Sequence, residues 1–156
     1  MKTAIFPGTF DPFTIGHFDV LQRALQLFDT VIIAIGDNCN KKTLYTSEER
    51  AAMINQVIAQ FGTRVKVVAY DNLTIDFCRQ NGARFIVRGI RTVSDFDYEN
   101  MIAQANQLLA SEIDTLFFPS LPQHTFICSS VVRDVLLHGG DVSMFLPDGM
   151  KIISRK

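Results

Sequence analysis

The first chemically suggestive stretch of the chain is GTFDPFTIGH, residues 8–17, which connects a short apolar run to an amphipathic run. Its two glycines, Gly8 and Gly16, permit a ligand to approach the backbone closely. The free N–H groups at the start of the following helix would attract a phosphate, and His17 lies in that first turn. The stretch therefore predicts a phosphate-binding loop, although its spacing matches neither GxGxxG nor a Walker A loop.

His17 also has a purely structural interpretation. Helical spacing aligns it with Val20, Leu21, Ala24 and Phe28, which form the apolar face of the same helix. A core histidine with one hydrogen bond would fit that position equally well. Position alone leaves both interpretations open.

Two arginines follow a later apolar run in the sequence RGIR. Arg88 can grip a phosphate through two N–H groups, and Arg91 can reach a triphosphate. Gly89 between them would let the chain turn close to a nucleotide. The alternative is that the arginines pair with Asp95 or Asp97.

Apolar runs and amphipathic segments alternate along the chain. Strands are predicted over 3–6, 31–36, 65–70, 84–89 and 114–119. Helices are predicted over 16–28, 47–61 with Ser47 as N-cap, 73–80 ending at Asn81-Gly82, 94–110, from Ser129 or Ser130 to His138, and briefly after Pro147.

This alternation predicts an α/β fold with a Rossmann-like, doubly wound, five-stranded parallel sheet in a single domain, residues 1–156. The loops 7–16, 37–46, 70–74, 88–94 and 119–129 each follow a strand. Because a ligand crevice forms at the carboxyl ends of such strands, these five loops should meet around one site.

Composition narrows the function classes. Apolar residues make up 47% of the 156 residues, charged residues 20%, and the net charge is -1, which argues against a broad nucleic-acid or membrane-binding surface. Cys39, Cys78 and Cys128 match no zinc pattern and suggest reduced thiols in a cytoplasmic protein. No signal peptide or membrane span is expected.

Five motifs together carry a family resemblance. TIGH, residues 14–17, resembles the signature of the T/HxGH nucleotidyltransferases. Four further blocks follow in the expected order: NKKTLYTSEER (40–50), RFIVRGIRTVSDFDYE (84–99), FICSSVVRD (126–134) and GDVSMFLP (140–147). With them, nearly the whole chain resembles the bacterial phosphopantetheine adenylyltransferases.

The resemblance implies transfer of the adenylyl group of ATP to 4′-phosphopantetheine, which yields dephospho-coenzyme A and pyrophosphate. The acceptor phosphate is already nucleophilic at neutral pH, so direct attack without a covalent enzyme intermediate needs positioning and charge neutralisation rather than a general base. The resemblance further implies Mg²⁺ as cofactor, a homohexamer and feedback binding of coenzyme A.

The resemblance also assigns roles to individual residues. The implied catalytic residues are His17, Lys41 and Arg91. The implied ATP-binding residues are Thr9, Phe10 (by its backbone), His17, Gly89, Ile90, Arg91, Glu99, His124, Thr125, Phe126, Ile127, Cys128, Ser129 and Ser130. The implied acceptor-binding residues are Thr9, Lys41, Thr74 and Arg88, and no residue is assigned as a metal ligand.

Several of these assignments have plainer alternatives. The pair Lys41-Lys42 would by default be a solvated charge run. Asp95 and Glu99, four residues apart, would more often form a solvated helix face. Cys128 stands where the family commonly has a serine, and His124 stands where an aromatic residue is frequent.

Two other functions compete with the implied one. A sister nucleotidyltransferase could use nicotinate mononucleotide or a sugar- or glycerol-phosphate as acceptor, because TIGH alone does not exclude it. A noncatalytic nucleotide-binding regulatory module is the second alternative. The RGIR…DFDYE block and the length of 156 residues favour phosphopantetheine over the other acceptors. The full set of His17, Lys41, Arg88, Arg91 and the Ser129-Ser130 pair argues against the noncatalytic module.

Overall fold

The computed structural model describes residues 1–37 and 40–155 and contains one five-stranded parallel sheet. Its strands are β1 (Thr3–Gly8), β2 (Thr30–Gly36), β3 (Val65–Tyr70), β4 (Phe85–Ile90) and β5 (Asp114–Pro119). Their spatial order is β3-β2-β1-β4-β5. The chain therefore leaves β1 in one direction for β2 and β3 and returns to its other side for β4 and β5, which places a topological switch point between β1 and β4.

The central strands are buried on both faces. Ile5 of β1 is in register with Ile32 of β2 and Ile86 of β4 and belongs to one core cluster. Its neighbours Ala4 and Phe6 belong to a separate cluster on the opposite face. Because successive strand side chains alternate between faces, uninterrupted apolar runs are what a sheet covered on both sides requires.

Five helices cover the sheet: α1 (Ile15–Ala24), α2 (Ser47–Ile58), α3 (Thr74–Gln80), α4 (Val93–Leu109) and α5 (Ser129–Leu137). Helices α1, α2 and α5 contribute to the first core cluster, and α3 contributes to the second. Short 3₁₀ helices lie at Ala59–Arg64, Pro122–His124 and Ser143–Phe145. The predicted doubly wound parallel sheet is confirmed. Among the described residues, no helix is both long and apolar enough to span a membrane.

Two helix starts differ from the sequence prediction. Thr46, not Ser47, caps α2, and it forms a capping box in which Thr46 Oγ1 accepts from the Glu49 amide and the Glu49 carboxylate accepts from the Thr46 amide. Cys128, not Ser129 or Ser130, is the N-cap of α5, and its side chain makes no capping hydrogen bond. In both places the extended cap residue lies one position earlier than expected.

Two helix ends and one whole predicted helix also differ. Helix α1 ends at Ala24 rather than at residue 28. Beyond that end, the Arg64 guanidinium donates hydrogen bonds to the carbonyls of Leu25 and Phe28. Helix α2 stops at Ile58 and continues only as a 3₁₀ helix. The short helix predicted after Pro147 is absent from the described residues, and the last helical turn is the 3₁₀ segment that precedes this proline.

Candidate active site

The five predicted loops meet at the carboxyl edge of the sheet and enclose two adjacent pockets. The smaller pocket, about 340 Å³, lies between the β1–α1 loop, the end of β4 and the start of α5. The larger pocket, about 870 Å³, lies between the ends of β1, β2 and β3 and the side of α4. Both pockets share one wall, which is formed by Pro7, Gly8, Thr9, Arg88 and Glu99.

The β1–α1 loop turns back on itself through Phe10. Its backbone is left-handed (φ 51°), which is uncommon for a residue other than glycine. The ring is 3% exposed and lies over Gly8, where a Cβ atom would come within 2.8 Å of it. Gly8 is therefore required for this turn, and the Phe10 ring belongs to the core while the residue lines the smaller pocket.

His17 is the third residue of α1 and completes its N-terminal cap. Its Nδ1 accepts a hydrogen bond from the Thr14 amide at 3.0 Å, and its own amide donates to Thr14 Oγ1 at 3.4 Å. Because Nδ1 accepts from an amide, the ring proton of neutral His17 resides on Nε2. The cap thus leaves Nε2 as the donor of this ring.

The surroundings of His17 keep it uncharged. Its ring packs 5.0 Å from the Phe10 ring and 5.4 Å from the Phe13 ring, and it lines the smaller pocket. Burial is the main cause, and the charges of Arg88 and Arg91 act in the same direction; together they lower the pKa of His17 from 6.5 to about 3. The ring is thus packed against the core, as the structural interpretation predicts, and it also lines the smaller pocket with Nε2 as its donor, whereas its role toward a phosphate stays a prediction.

Arg88 lies on the wall between the two pockets and is held on three sides. Its Nε and Nη2 donate to the Glu99 carboxylate at 2.8 and 2.5 Å, and its Nη1 donates to the Pro7 carbonyl. Arg88 lies within β4, inside the strand predicted over 84–89. Three of the five N–H donors of a guanidinium are used in this way, so two are left for a ligand.

Arg91 follows β4 and is held by Asp95, as one alternative reading of the sequence proposed. Its Nε donates to Asp95 Oδ2 at 3.1 Å, and the Arg91 amide donates to the same oxygen at 3.0 Å. The two acidic residues of α4 that are four positions apart thus do not form a solvated face, because Asp95 orients Arg91 and Glu99 orients Arg88.

The N-terminus of α5 closes the smaller pocket. Ser129 Oγ donates to the Pro12 carbonyl at 2.8 Å and so ties α5 to the β1–α1 loop. Arg133 donates to the Asp11 carbonyl at 2.8 Å and to Ser130 Oγ at 3.2 Å, and it lines the pocket. Arg133 stands in the FICSSVVRD block but was not predicted to be a site residue. The first amides of α5, like those of α1, lack carbonyl partners within the helix and favour an anion.

The larger pocket has a different lining. Lys41 is exposed and, within residues 1–37 and 40–155, makes no hydrogen bond or ion pair. Thr74 lines the same pocket, and its Oγ1 lies 2.9 Å from the Tyr70 hydroxyl. Besides the shared wall, the wide cavity is thus lined by one lysine, by hydroxyl and amide groups and by the carboxylates of Asp37 and Asp71.

Two buried charged residues, which the sequence analysis did not single out, join the loops of the two pockets. The Asp11 carboxylate accepts from the Leu44 amide at 2.8 Å and the Tyr45 amide at 3.0 Å. Arg50 donates to the Thr9 carbonyl at 2.6 Å and the Tyr45 carbonyl at 3.1 Å. The β1–α1 loop and the loop that carries Lys41 are therefore fixed relative to each other.

Most of the residues assigned from the sequence come together at these pockets. Those that line the smaller pocket are Thr9, Phe10, His17, Arg88, Gly89, Arg91, Glu99, His124, Ile127, Cys128, Ser129 and Ser130. Those that line the larger pocket are Thr9, Lys41, Thr74, Arg88 and Glu99. The structure does not bring Ile90, Thr125 or Phe126 to either wall, and Phe126 is 66% exposed.

Gly89 and His124 have packing environments that the sequence alone does not specify. Gly89 lies inside β4, and a Cβ atom there would come within 3.1 Å of Val20, so its small size serves the packing of α1 on the sheet. His124 ends a 3₁₀ helix beside Gly16, and its buried Nδ1 has no hydrogen-bond partner within the described residues.

Metal ligands are the last feature of the candidate site. In the part of the chain that the structure describes, no three histidine, cysteine or carboxylate side chains are grouped so that they could hold a metal ion. The two carboxylates of the smaller pocket, Asp95 and Glu99, are each engaged by an arginine.

Comparisons with known proteins show which families and proteins this chain resembles. Residues 5–135 match the cytidylyltransferase-like family. A phosphopantetheine adenylyltransferase of Phocaeicola vulgatus is 56% identical over 152 residues, covering 97% of this chain and 99% of the relative. The enzyme of the same name from Bacteroides thetaiotaomicron is 51% identical with the same coverage.

Solved structures at lower identity share the fold. A putative nicotinate-nucleotide adenylyltransferase from Vibrio parahaemolyticus aligns with a TM-score of 0.65 at 20% identity, covering 94% of both chains. A bifunctional NMN adenylyltransferase/ADP ribose pyrophosphatase from Francisella tularensis aligns with a TM-score of 0.73 at 20% identity, covering 93% of this chain and 44% of the other. The match of residues 5–135 to the family and the near full-length curated relatives show that the chain belongs to the cytidylyltransferase-like family and, within it, to the phosphopantetheine adenylyltransferases.

Proposed function

We propose that this chain transfers the adenylyl group of ATP to 4′-phosphopantetheine and releases dephospho-coenzyme A and pyrophosphate. The observation that carries the proposal is the meeting of two pockets at one wall, where Thr9 and Arg88 face both. Two substrates that occupied the two pockets would have their reacting phosphates side by side at this wall. The choice of substrates is supported by the curated relatives, which are named phosphopantetheine adenylyltransferase.

ATP occupies the smaller pocket in this proposal. Its phosphates would lie between the N-termini of α1 and α5, where free amides and two helix dipoles favour negative charge. His17 would donate Nε2–H to a phosphate oxygen, and Arg91 and Arg133 would neutralise the triphosphate. Cys128, Ser129 and Ser130 would contribute mainly through the backbone amides at the start of α5.

The acceptor occupies the larger pocket. Lys41 and the two free N–H groups of Arg88 would hold its dianionic phosphate against the shared wall, beside Thr9. The pantetheine arm would extend toward Thr74 and the side of α4. An open pocket of about 870 Å³ is large enough for such an elongated acceptor.

The reaction is direct attack of the acceptor phosphate on the α-phosphate of ATP. A phosphate dianion needs no general base, and His17, whose pKa is lowered to about 3 by burial and by Arg88 and Arg91, is a poor base. Catalysis therefore rests on alignment of the two phosphates and on fixed donors for the charge of the α-phosphate and the departing pyrophosphate.

Mg²⁺ would accompany ATP rather than occupy a site formed by the protein. Asp95 and Glu99 are paired with arginines, so the triphosphate itself would supply the main oxygen ligands. When bound, the metal would neutralise charge on the leaving pyrophosphate. The chain's part is to hold the phosphates through the α1 and α5 amides and the arginines.

The test is an assay of pyrophosphate released from ATP and Mg²⁺ with each candidate acceptor. We expect turnover with 4′-phosphopantetheine and none with dephosphorylated pantetheine, which lacks the attacking phosphate. Nicotinate mononucleotide and glycerol phosphate serve as matched phosphorylated controls. Turnover with one of these and not with phosphopantetheine would contradict the assignment and identify a sister enzyme.

A homohexamer in the cytoplasm, with feedback binding of coenzyme A, stays a prediction. Helix α4 exposes a set of apolar side chains that an assembly would cover: Val93, Phe96, Tyr98, Met101, Ile102, Leu108 and Leu109. Light scattering at micromolar concentration tests the assembly, and a monomer would contradict it. Competition of coenzyme A with ATP or phosphopantetheine tests the feedback.

A further inference from the structure

The C-terminal segment Met150–Arg155, called the strap below, has neither helix nor strand and crosses α2 and the loop before it. Its Lys151 backbone exchanges two hydrogen bonds with the Gln56 side chain, at 2.8 and 3.2 Å. Further along, the Ile153 carbonyl accepts from the Tyr45 hydroxyl at 2.9 Å. The strap is thus attached at successive points to the segment that follows Lys41.

Arg155 forms the most extensive of these attachments. Its Nη2 donates to the Leu44 carbonyl at 3.2 Å and pairs with the Glu49 carboxylate. Its guanidinium carbon lies 5.1 Å from the centre of the Tyr45 ring. The planar guanidinium stacks on the ring and donates to both a carbonyl and a carboxylate. A lysine side chain cannot make all of these contacts at once, so it is a poor substitute here.

Glu49 connects the strap to the start of α2. The oxygen that pairs with Arg155, Oε2, also accepts from the Thr46 amide at 2.9 Å and so closes the capping box of the helix. One carboxylate therefore fixes both the end of the lysine-bearing loop and the strap.

The Leu44–Thr46 segment also accepts and donates hydrogen bonds on the side away from the strap. Asp11 binds the amides of Leu44 and Tyr45, while Arg50 binds the Tyr45 carbonyl. Leu44 thus has its amide held by the β1–α1 loop and its carbonyl held by the strap. Lys41 stands three residues earlier on this loop, exposed at the larger pocket.

From this arrangement we infer that Arg155 is a positioning residue for Lys41 and that the strap sets the geometry of the acceptor-phosphate site. The inference rests on the proposed function, because it assigns Lys41 to the acceptor phosphate. Arg155 itself does not line either pocket, so it acts through the Leu44–Thr46 segment.

The test compares Arg155→Ala with Arg79→Ala in steady-state kinetics. Arg79 is the matched control, because its side chain is equally exposed (46%) and also pairs with a carboxylate, Glu112, but it lies on α3. We expect Arg155→Ala to raise KM for phosphopantetheine about three- to fivefold, the scale of one exposed ion pair. KM for ATP should change less than about twofold, and Arg79→Ala should leave both KM values at the wild-type level.

Two further measurements separate positioning from a general loss of structure. Arg155→Lys keeps the charge and should recover only part of the phosphopantetheine KM. Amide hydrogen exchange at Leu44 and Tyr45 should accelerate in Arg155→Ala, while exchange in the central strand β1 stays unchanged. Unchanged phosphopantetheine KM, or a parallel rise in KM for both substrates with faster exchange in β1, would overturn the inference. A wild-type enzyme without phosphopantetheine turnover would instead overturn the proposed function.

Discussion

The two pockets differ in how their cations are held. Arg91 of the smaller pocket lies against Asp95, and Arg88 on the shared wall is fixed by Glu99. Lys41 of the larger pocket is exposed and has no such partner among the residues that the structure describes. One pocket therefore contains donors fixed before any ligand arrives, whereas the other presents a point charge on a long side chain.

This difference matches two tasks. Charge develops on the α-phosphate and the pyrophosphate during the proposed reaction, and fixed donors stabilise developing charge without reorganising. The acceptor phosphate is a dianion from the beginning, so the point charge of a lysine on a loop held by Asp11 and Arg50 suffices to attract and retain it. We therefore expect changes in the smaller pocket to affect mainly turnover and changes in the larger pocket to affect mainly the acceptor.

The largest expected effect follows from His17→Ala. Loss of one preorganised donor typically costs roughly 3–4 kcal/mol, or about 10²–10³ in kcat, and we expect KM for ATP to change much less. His17→Asn is the matched variant, because its amide oxygen can replace Nδ1 as acceptor for the Thr14 amide while the Nε2 donor is lost. Steady-state kinetics of both variants should show the same loss of kcat. Near wild-type turnover in His17→Ala would reduce the residue to a core histidine.

The second effect belongs to the acceptor side. Lys41→Ala and Arg88→Lys should each raise KM for phosphopantetheine and lower kcat, together about tenfold or more in kcat/KM, because a loosened nucleophile also loses its alignment. Arg88→Lys is not conservative, since a lysine cannot hold both Glu99 and a phosphate in fixed directions. Lys42→Ala is the control and should behave as wild type. If Lys41→Ala weakened ATP alone, the division between the pockets would be wrong.

A third prediction concerns stability and pH. The pKa of His17 is about 3 in the folded state, lowered from 6.5 mainly by burial. Between these values the unfolded chain binds a proton that the folded chain does not, so the stabilisation is complete above pH 6.5 and is lost as pH falls toward 3. The slope approaches 1.4 kcal/mol per pH unit, so the wild type should lose about 2 kcal/mol more than His17→Asn between pH 7 and pH 5.

Urea unfolding at the two pH values measures this difference. His124 and His138 are present in both proteins, so their titration cancels in the comparison. Equal losses in the two proteins would mean that His17 is as easily protonated in the folded state as in the unfolded chain. The smaller pocket would then not be prepared as a dry, neutral donor site.

The strands were predicted well because they are buried on both faces, so an uninterrupted apolar run is sufficient to identify them. Strands β3 and β5 begin and end at the predicted residues. The helix caps were predicted one residue late at Thr46 and Cys128, because a cap depends on the backbone conformation of one residue, which apolar spacing does not encode.

The site was only partly predictable for a related reason. Because the carboxyl ends of parallel strands lie at one edge of the sheet, the strand order predicts that the cations and His17 lie close together, and the structure places them around the two pockets. The pairing of Arg88 with Glu99 depends on how α4 lies across β4, which no local pattern records. Asp11 and Arg50 were not predicted as site residues because their partners are backbone groups of distant loops. Sequence spacing indicates only which side chains can pair with each other.

The smallest expected effect is that of Cys128→Ser, at the edge of the smaller pocket. Cys128 is the N-cap of α5, lines the pocket and makes no capping hydrogen bond, so the pocket relies there on backbone amides. Cys128→Ser should keep turnover within about threefold, because those amides remain, and should add about 0.5–1 kcal/mol of stability, because a serine hydroxyl caps a helix where a thiol caps poorly. Ser129→Ala is the contrasting variant, since it removes the hydroxyl that donates to the Pro12 carbonyl and should lower stability. Thermal unfolding and kinetics of the two variants separate the roles. A large loss of turnover in Cys128→Ser would mean that the thiol itself acts on the nucleotide. The smaller pocket would then need the Cys128 side chain in addition to its fixed amide and arginine donors.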